Sequence, residues 1–177
     1  MSTPFIVLDR DGTLIKHVHY LTNPYEVELL PDVISGLIIF QKLGFSFGMI
    51  TNQSVIGRGI GTKDQVISVN ERVFKLIEDE GIVLKFTLFC PHIPEDQCNC
   101  RKPAPGLGIE AIKSYNIDPS RSYMIGDQVS DIKFGNVIGF RSIQISDFPN
   151  KFSGAALVTN NLLSAANWVS FQLGENK

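Results

Sequence analysis

Cysteine is scarce in this chain, with 3 residues in 177. An odd count without an export signal argues against a disulfide framework. A surplus of either charge is also missing. With 16 basic and 18 acidic residues the net charge is −2. No broad positive field exists for nucleic acid or an anionic membrane, so any cation that meets phosphate must do so locally. No apolar run approaches the roughly 20 residues that span a bilayer. Met1-Ser2-Thr3-Pro4 carries neither a basic n-region nor a long apolar segment, so a signal peptide is not expected and a cytoplasmic location follows by default. Internal repeats and low-complexity tracts are absent. What is present is 44% hydrophobic residues, enough for one domain over 1–177 with a real core.

The stretch Phe5-Ile-Val-Leu-Asp9-Arg10-Asp11-Gly12-Thr13-Leu14 organises the rest. A short unbroken apolar run with turn residues behind it reads as a buried, parallel-type strand. Residues i and i+2 of an extended segment point the same way, so Asp9 and Asp11 are expected to project together from its carboxyl end. Two carboxylates aimed at one spot repel unless a cation or a shared proton relieves them. Downstream, the pattern predicts a helix opened by Pro31 and stopped by Gly44, a strand from Phe45 to Ile50, and a helix from Lys63 to Glu80 capped by Thr62. Further strands are expected at Phe86–Phe89, Ser122–Ile125 and Ser142–Ile145, with a short edge strand at Ala156–Val158. Helices are expected from Pro105 to Tyr115, from Ile132 to Ile138, and from Leu162 to Leu173, the last burying Trp168. Strands alternating with helices give an α/β fold, a mainly parallel sheet covered on both faces.

The polar groups cluster at strand exits: Asp9 and Asp11 after the first, Thr51 after the second, Asp127 after the fourth. Lys102 lies in the loop beyond the third. In a parallel sheet these exits share one edge. An ionised carboxylate can attack phosphorus and form an aspartyl-phosphate. Repulsion from the anionic phosphate is overcome by Mg²⁺ held by carboxylates, here Asp9 and Asp127. Thr51 and Lys102 offer donors and positive charge, and Asp11 is left to exchange the proton of the leaving oxygen.

Asp9-x-Asp11-Gly12-Thr13, Thr51-Asn52, Lys102 and Gly126-Asp127-x-x-x-Asp131, in that order over roughly residues 5 to 145, resemble the four-motif signature of the haloacid dehalogenase (HAD) superfamily of phosphatases. The resemblance implies a Rossmann-like fold, Asp9 as nucleophile, Asp11 as general acid/base, and Mg²⁺ held by Asp9, the Asp11 carbonyl and Asp127. It also implies that Asp131 supports these ligands. Asp131 reads equally as an acid favoured by a helix N-terminus.

Cys90-x-His92 and Cys98-x-Cys100 use every cysteine in the chain. Three thiolates and an imidazole in one loop, 90–100, suit a closed tetrahedral Zn²⁺ site, which would turn Arg101 and Lys102 toward the active edge. Cys90-Pro-His92 through Cys100-Arg101-Lys102-Pro103 resembles the branch holding the D,D-heptose 1,7-bisphosphate 7-phosphatases and the histidinol-phosphate phosphatases. Members of that branch lack a separate cap domain, and this length leaves no room for one. Thr51-Asn52-Gln53-Ser54, Arg58-Gly59 and the loop ending in Tyr20-Leu21 resemble the heptose enzymes, where the residue matching Arg101 meets the phosphate that is not cleaved. The heptose pattern usually has an Asp where this chain has His17.

The resulting expectation is a Mg²⁺-dependent sugar-phosphate phosphatase with structural zinc, monomeric, with no nucleic-acid or membrane partner. Its expected substrate contacts are His17, Tyr20, Asn52, Gln53, Ser54, Arg58 and Arg101. By resemblance its product would feed lipopolysaccharide, S-layer or capsule precursors. The alternatives are histidinol-phosphate hydrolysis and a non-catalytic zinc-stabilised binding domain. His19 reads as a solvated loop residue, and Arg58 among its glycines reads as anion contact or free surface.

Overall fold

A computed structural model describes residues 2–148 and 153–174; Met1, part of the N-terminal reading above, lies outside them. Six strands form one all-parallel sheet in the order β3-β2-β1-β4-β5-β6. They are β1 (Phe5–Leu8), β2 (Ser46–Asn52), β3 (Leu84–Cys90), β4 (Tyr123–Gly126), β5 (Arg141–Ile145) and β6 (Leu157–Thr159). The helices are α1 (Val33–Lys42), α2 (Lys63–Glu78), α3 (Gly106–Tyr115), α4 (Val129–Val137) and α5 (Leu162–Gln172). The α/β class and the parallel sheet are as the sequence predicts. No helix of the described residues is long and apolar enough to cross a membrane.

The alternation of β1 decides what each face holds. Ile6 and Leu8 pack into a core with α1, α2 and α5, whereas Phe5 and Val7 pack into a second core with Leu107 and Ala111 of α3 and Phe134 of α4. Because β1 is buried on both sides, its two neighbours, β2 and β4, run parallel to it at nearly equal level: Leu8 pairs with Met49 on one side and Ile125 on the other. The chain crosses from one side of β1 to the other at this point, and the crevice outside the carboxyl ends is where such sheets place ligands.

Several boundaries differ from the expectation. Asp32 sits at φ +64° and turns the chain into α1, which leaves Pro31 outside the helix. Helix α4 starts at Val129 rather than Ile132, because Asp131 Oδ2 accepts from the Gln128 N–H (3.0 Å) and caps the earlier turn. Trp168 is not buried: it packs against the core edge, with the Arg141 guanidinium 5.1 Å from its ring centre. Long basic side chains cover aromatic surface this way where a helix meets solvent.

Helices α1 and α5 approach closely at Gly36, where an added Cβ would lie 2.8 Å from the Leu162 carbonyl carbon. Backbone cannot swing aside as a side chain can. Gly36→Ala gains about 1 kcal/mol of helix propensity but overpacks this contact at a cost of about 1–3 kcal/mol. A lowered midpoint in urea unfolding is expected; a raised one would show that the helices separate freely.

Candidate active site

Three strand exits and one loop meet in a cavity of about 390 Å³ lined by Asp9, Asp11, Thr51, Lys102, Asp127 and Asp131. Asp9 directly follows β1, and its N–H donates to the Ile125 carbonyl (2.9 Å), which continues the strand pairing by one residue. Thr51 is fully buried near the end of β2. Asp127 follows β4, and its carbonyl accepts from Gln144 Nε2 on β5 (3.1 Å). Lys102 arrives from the loop after β3. Asn52 clamps its backbone reciprocally: Asn52 Nδ2 donates to the Lys102 carbonyl and the Lys102 N–H donates to Asn52 Oδ1, both at 3.0 Å.

The Lys102 ammonium is almost wholly buried. It donates to Asp9 Oδ1 (2.7 Å), Asp131 Oδ1 (2.8 Å) and the Ile50 carbonyl (2.7 Å). An ammonium has three hydrogens, so its capacity is used up. Burial works against its charge, but the Asp131 and Asp9 carboxylates outweigh burial and raise its pKa. The same sharing explains Asp131. Burial pushes that carboxyl up to about 6, against the pull of Lys102, because one ammonium serves two carboxylates.

Asp127 completes the set. Burial, then the nearby Asp9 charge, push its carboxyl up. Its Oδ2 accepts from Gln128 Nε2, while Oδ1 is buried with no partner. Gly12 makes the room for it: the turn there sits at φ +76°, and an added Cβ would stand 2.7 Å from Asp127 Oδ2. Ligand oxygens of Asp9, Asp127 and Asp131 lie within 4.8 Å of one another. Three carboxylates against one ammonium leave two negative charges. An orphaned oxygen and that deficit fit a hard divalent cation with oxygen ligands.

Asp11 lines the same cavity but is held from the opposite face of the sheet. Strand β1 ends at Leu8, so both aspartates lie in the following turn. The Asp11 carboxylate meets Arg10 (Nε to Oδ2, 3.1 Å; Nη2 to Oδ1, 3.2 Å) and Gln53 Nε2 (2.9 Å to Oδ2). Gln53 is therefore engaged at both ends of its amide, since Nε2 also donates to Thr51 Oγ1 (2.9 Å) and Oε1 accepts from Arg10 (2.9 Å). It is a buried brace that also lines a smaller cavity beside the main one. The reading of the sequence passed over Arg10, Asn70, Gln128 and Gln144. For Arg10 a signal existed: a cation at the exit of a strand buried on both faces must find a partner beneath the surface.

In the loop after β3, Cys90 Sγ, His92 Nδ1, Cys98 Sγ and Cys100 Sγ stand 3.1–3.6 Å apart across the pairs in contact. A tetrahedral Zn²⁺ with Zn–S of about 2.3 Å sets S···S edges near 3.8 Å, with shorter S···N edges. Burial pushes the Cys90 thiol up to about 12. At Cys98 burial is outweighed by hydrogen bonds from Cys100 and from backbone N–H groups, which bring it down to about 7. One thiolate is thus within reach near neutral pH, as a metal site requires. Arg101 Nη1 donates to the His92 carbonyl (3.1 Å), so the cluster also orients this guanidinium at the cavity wall.

Of the other expected contacts, His17 lines both the main cavity and a smaller one of about 130 Å³ beside it. Tyr20 and Ser54 line only the smaller one, and Asn52 lines both. Tyr20 is held at φ +53° with its ring 3.9 Å from that of His19. Arg58 is exposed and lines neither cavity: its loop folds back through an N–H to the Ser54 carbonyl.

Lys102→Met leaves buried carboxylates unpaired, and an unfolding free energy lower by about 3–5 kcal/mol is expected. The deficit depends on pH. A carboxyl whose folded pKa is raised contributes stability below its unfolded pKa and loses it as pH rises through the folded one. Without the ammonium, Asp131 rises beyond its present position. The deficit is therefore larger at about pH 7.5 than at about pH 5 in metal-free urea titrations; a deficit independent of pH would contradict the shared-ammonium account.

A HAD-hydrolase-like family model matches residues 99–147. A probable D-glycero-D-manno-heptose-1,7-bisphosphate 7-phosphatase of Thermoplasma volcanium is 41% identical over 128 residues, 72% of this chain and 86% of that one. The D-glycero-beta-D-manno-heptose-1,7-bisphosphate 7-phosphatase of Yersinia pestis is 36% identical over 139 residues, 75% of this chain and 74% of that one. The crystal structure of D,D-heptose 1,7-bisphosphate phosphatase from B. bronchiseptica complexed with magnesium and phosphate superposes with a TM-score of 0.84 at 22% identity, covering 96% and 99% of the two chains. With the sheet order, the aspartate pair and these relatives in agreement, the chain belongs to the HAD-type phosphatases, in the family of the heptose-1,7-bisphosphate 7-phosphatases.

Proposed function

We propose that the protein is a Mg²⁺-dependent phosphoric monoester hydrolase that converts D-glycero-D-manno-heptose 1,7-bisphosphate to heptose 1-phosphate through an aspartyl-phosphate on Asp9. The observation that carries the reading is the state of Asp9. Lys102 pins Oδ1, which leaves Oδ2 to attack phosphorus from a fixed direction. Asp9, Asp127 and the Asp11 carbonyl would hold Mg²⁺, with Asp131 supporting them through Lys102. Bound there, Mg²⁺ would supply the positive charge that lets an anionic carboxylate approach an anionic phosphate.

The chain's own groups do the rest. Gln53 donates to Thr51 Oγ1, so the threonine hydroxyl hydrogen is free to turn to a phosphoryl oxygen. Lys102, its hydrogens spent on protein oxygens, contributes charge and fixes Asp9 rather than donating to the phosphate. Asp11 gives a proton to the leaving oxygen of the sugar and takes one from the water that cleaves the acyl-phosphate. Arg101 offers a planar donor set to the phosphate that stays, with His17, Tyr20 and Ser54 beside it for the sugar. The zinc cluster is structural: four ligands fill a tetrahedron and leave no open position. The same proposal has the enzyme working in the cytoplasm as a monomer, on a small sugar phosphate alone.

Phosphate release in Mg²⁺ should be faster with heptose 1,7-bisphosphate, as α or β anomer, than with histidinol phosphate, and Asp9→Asn should lower kcat/KM by at least about a thousandfold. A preference for histidinol phosphate would move the substrate assignment, and turnover by Asp9→Asn would remove the covalent route. Elemental analysis should find one zinc per chain, and Cys100→Ser should lower the melting temperature by about 10 °C or more. An unchanged melting curve for zinc-free protein would rule out the structural role.

A further inference from the structure

Arg10 is 1% exposed, among the most deeply buried side chains of the described residues, and it stands between the two site aspartates. It lies in the turn after β1 and reaches away from the Asp9–Lys102–Asp131 cluster, beneath the cavity and toward α2. There its Nη1 donates to Asn70 Oδ1 of α2 (2.8 Å) and its Nη2 to Gln53 Oε1 (2.9 Å). Asn70 and Gln53 are themselves 4% and 5% exposed. The remaining guanidinium edge meets both oxygens of Asp11. A buried cation needs a paired anion, and Asp11 is the carboxylate against which Arg10 is set, at 3.0 Å.

We propose that Arg10, anchored 60 positions away in sequence by Asn70, is a positioning residue that fixes the Asp11 carboxyl for proton transfer. The inference rests on the role proposed above for Asp11. The geometry distinguishes the two oxygens. Oδ2 accepts from Arg10 Nε and Gln53 Nε2, whereas Oδ1 accepts only from Arg10 Nη2. A carboxylate oxygen has two lone pairs, so Oδ1 is the oxygen with capacity to carry the proton that goes to the leaving group. Arg10 suits this task better than lysine would. Its fork holds the carboxylate plane, Asn70 and Gln53 at once, which a single ammonium on a flexible stem cannot do. Helix α2, far from the chemistry in sequence, thereby sets the direction of a catalytic side chain.

The test compares two leaving groups. A sugar alkoxide needs a proton as it departs; p-nitrophenolate does not. kcat/KM covers the steps through formation of the acyl-phosphate, so it reports on that proton. For Arg10→Lys, kcat/KM on the sugar phosphate should fall by about 10²-fold, within the usual range of general acid catalysis, while kcat/KM on p-nitrophenyl phosphate falls by less than about threefold. Asn70→Leu, which keeps Arg10 but removes its anchor, should show the same split at about tenfold. Asp11→Asn serves as the reference. A split in Asp11→Asn with equal losses on both substrates, or no loss, in the Arg10 and Asn70 variants overturns this inference and leaves the role of Asp11 standing. Equal losses in Asp11→Asn overturn the acid role itself, and this inference with it. If Arg10→Lys does not fold, Asn70→Leu decides, with its melting curve confirming the native state.

Discussion

One ammonium group holds the site together. Lys102 is drawn from a distant loop into the crevice above β1, β2 and β4, where its three hydrogens go to Asp9, Asp131 and the Ile50 carbonyl. Without it, three carboxylates from two segments would face each other in a poorly solvated cavity, and their repulsion would drive the turns after β1 and β4 apart. With it, two of the three are tied, and the third, Asp127, keeps an unpartnered oxygen. The arrangement is left two charges short of neutral, a deficit that suits a divalent ion and distinguishes it from a closed salt bridge.

Delivering that lysine is a problem of loop structure. The segment between β3 and α3 has few apolar side chains of its own, and a loop of this length costs conformational entropy to fix. Two devices fix it. The Cys90–His92–Cys98–Cys100 cluster gathers the loop at one end, and the two-way amide clamp of Asn52 holds the Lys102 backbone at the other. Arg101 lies between them and leans on the His92 carbonyl. The two cations at the cavity wall are thus set by backbone contacts to Asn52 and His92. Changes in the Cys/His loop should reach the active edge through this short path of backbone bonds rather than through the core.

Much of this was legible in the sequence because strands impose strong rules. The unbroken run Phe5–Leu8, the turn glycine and the polar residues at the other strand exits required a parallel sheet with one active edge, and the four clustered metal-type residues could be seen by spacing alone. What was not legible depends on direction. Asn52 and Gln53 look like a substrate-binding pair, since amides behind a buried strand suit a ligand; only the fold reveals that Asn52 turns to Lys102 and Gln53 to Asp11, Thr51 and Arg10. Asn70 stands four residues after Val66 and three before Val73, so helical spacing puts it on the buried face of α2, but only the fold names Arg10 as its partner. Arg58 sits among glycines that could have carried it anywhere, and they carry it outward. The start of α4 was missed because Asp131 serves two purposes, capping the helix and binding Lys102.

The two faces of the sheet divide the electrostatic work. On one, Lys102 is shared between carboxylates and leaves negative charge over, so that face remains open to a cation and a phosphate. On the other, the Arg10 guanidinium and the Asp11 carboxylate balance one for one, with Gln53 and Asn70 satisfying the rest of the guanidinium, so that carboxylate carries no uncompensated charge. The phosphoryl transfer proposed for Asp9 and Asp11 asks for this inequality: one would stay an anion against a phosphate, and the other would exchange a proton without its carboxylate capturing the metal. Neighbouring residues of one turn, Asp9, Arg10 and Asp11, reach it because Asn70 and Gln53 draw Arg10 away from the Lys102 cluster, and Arg10 holds the Asp11 carboxylate in turn.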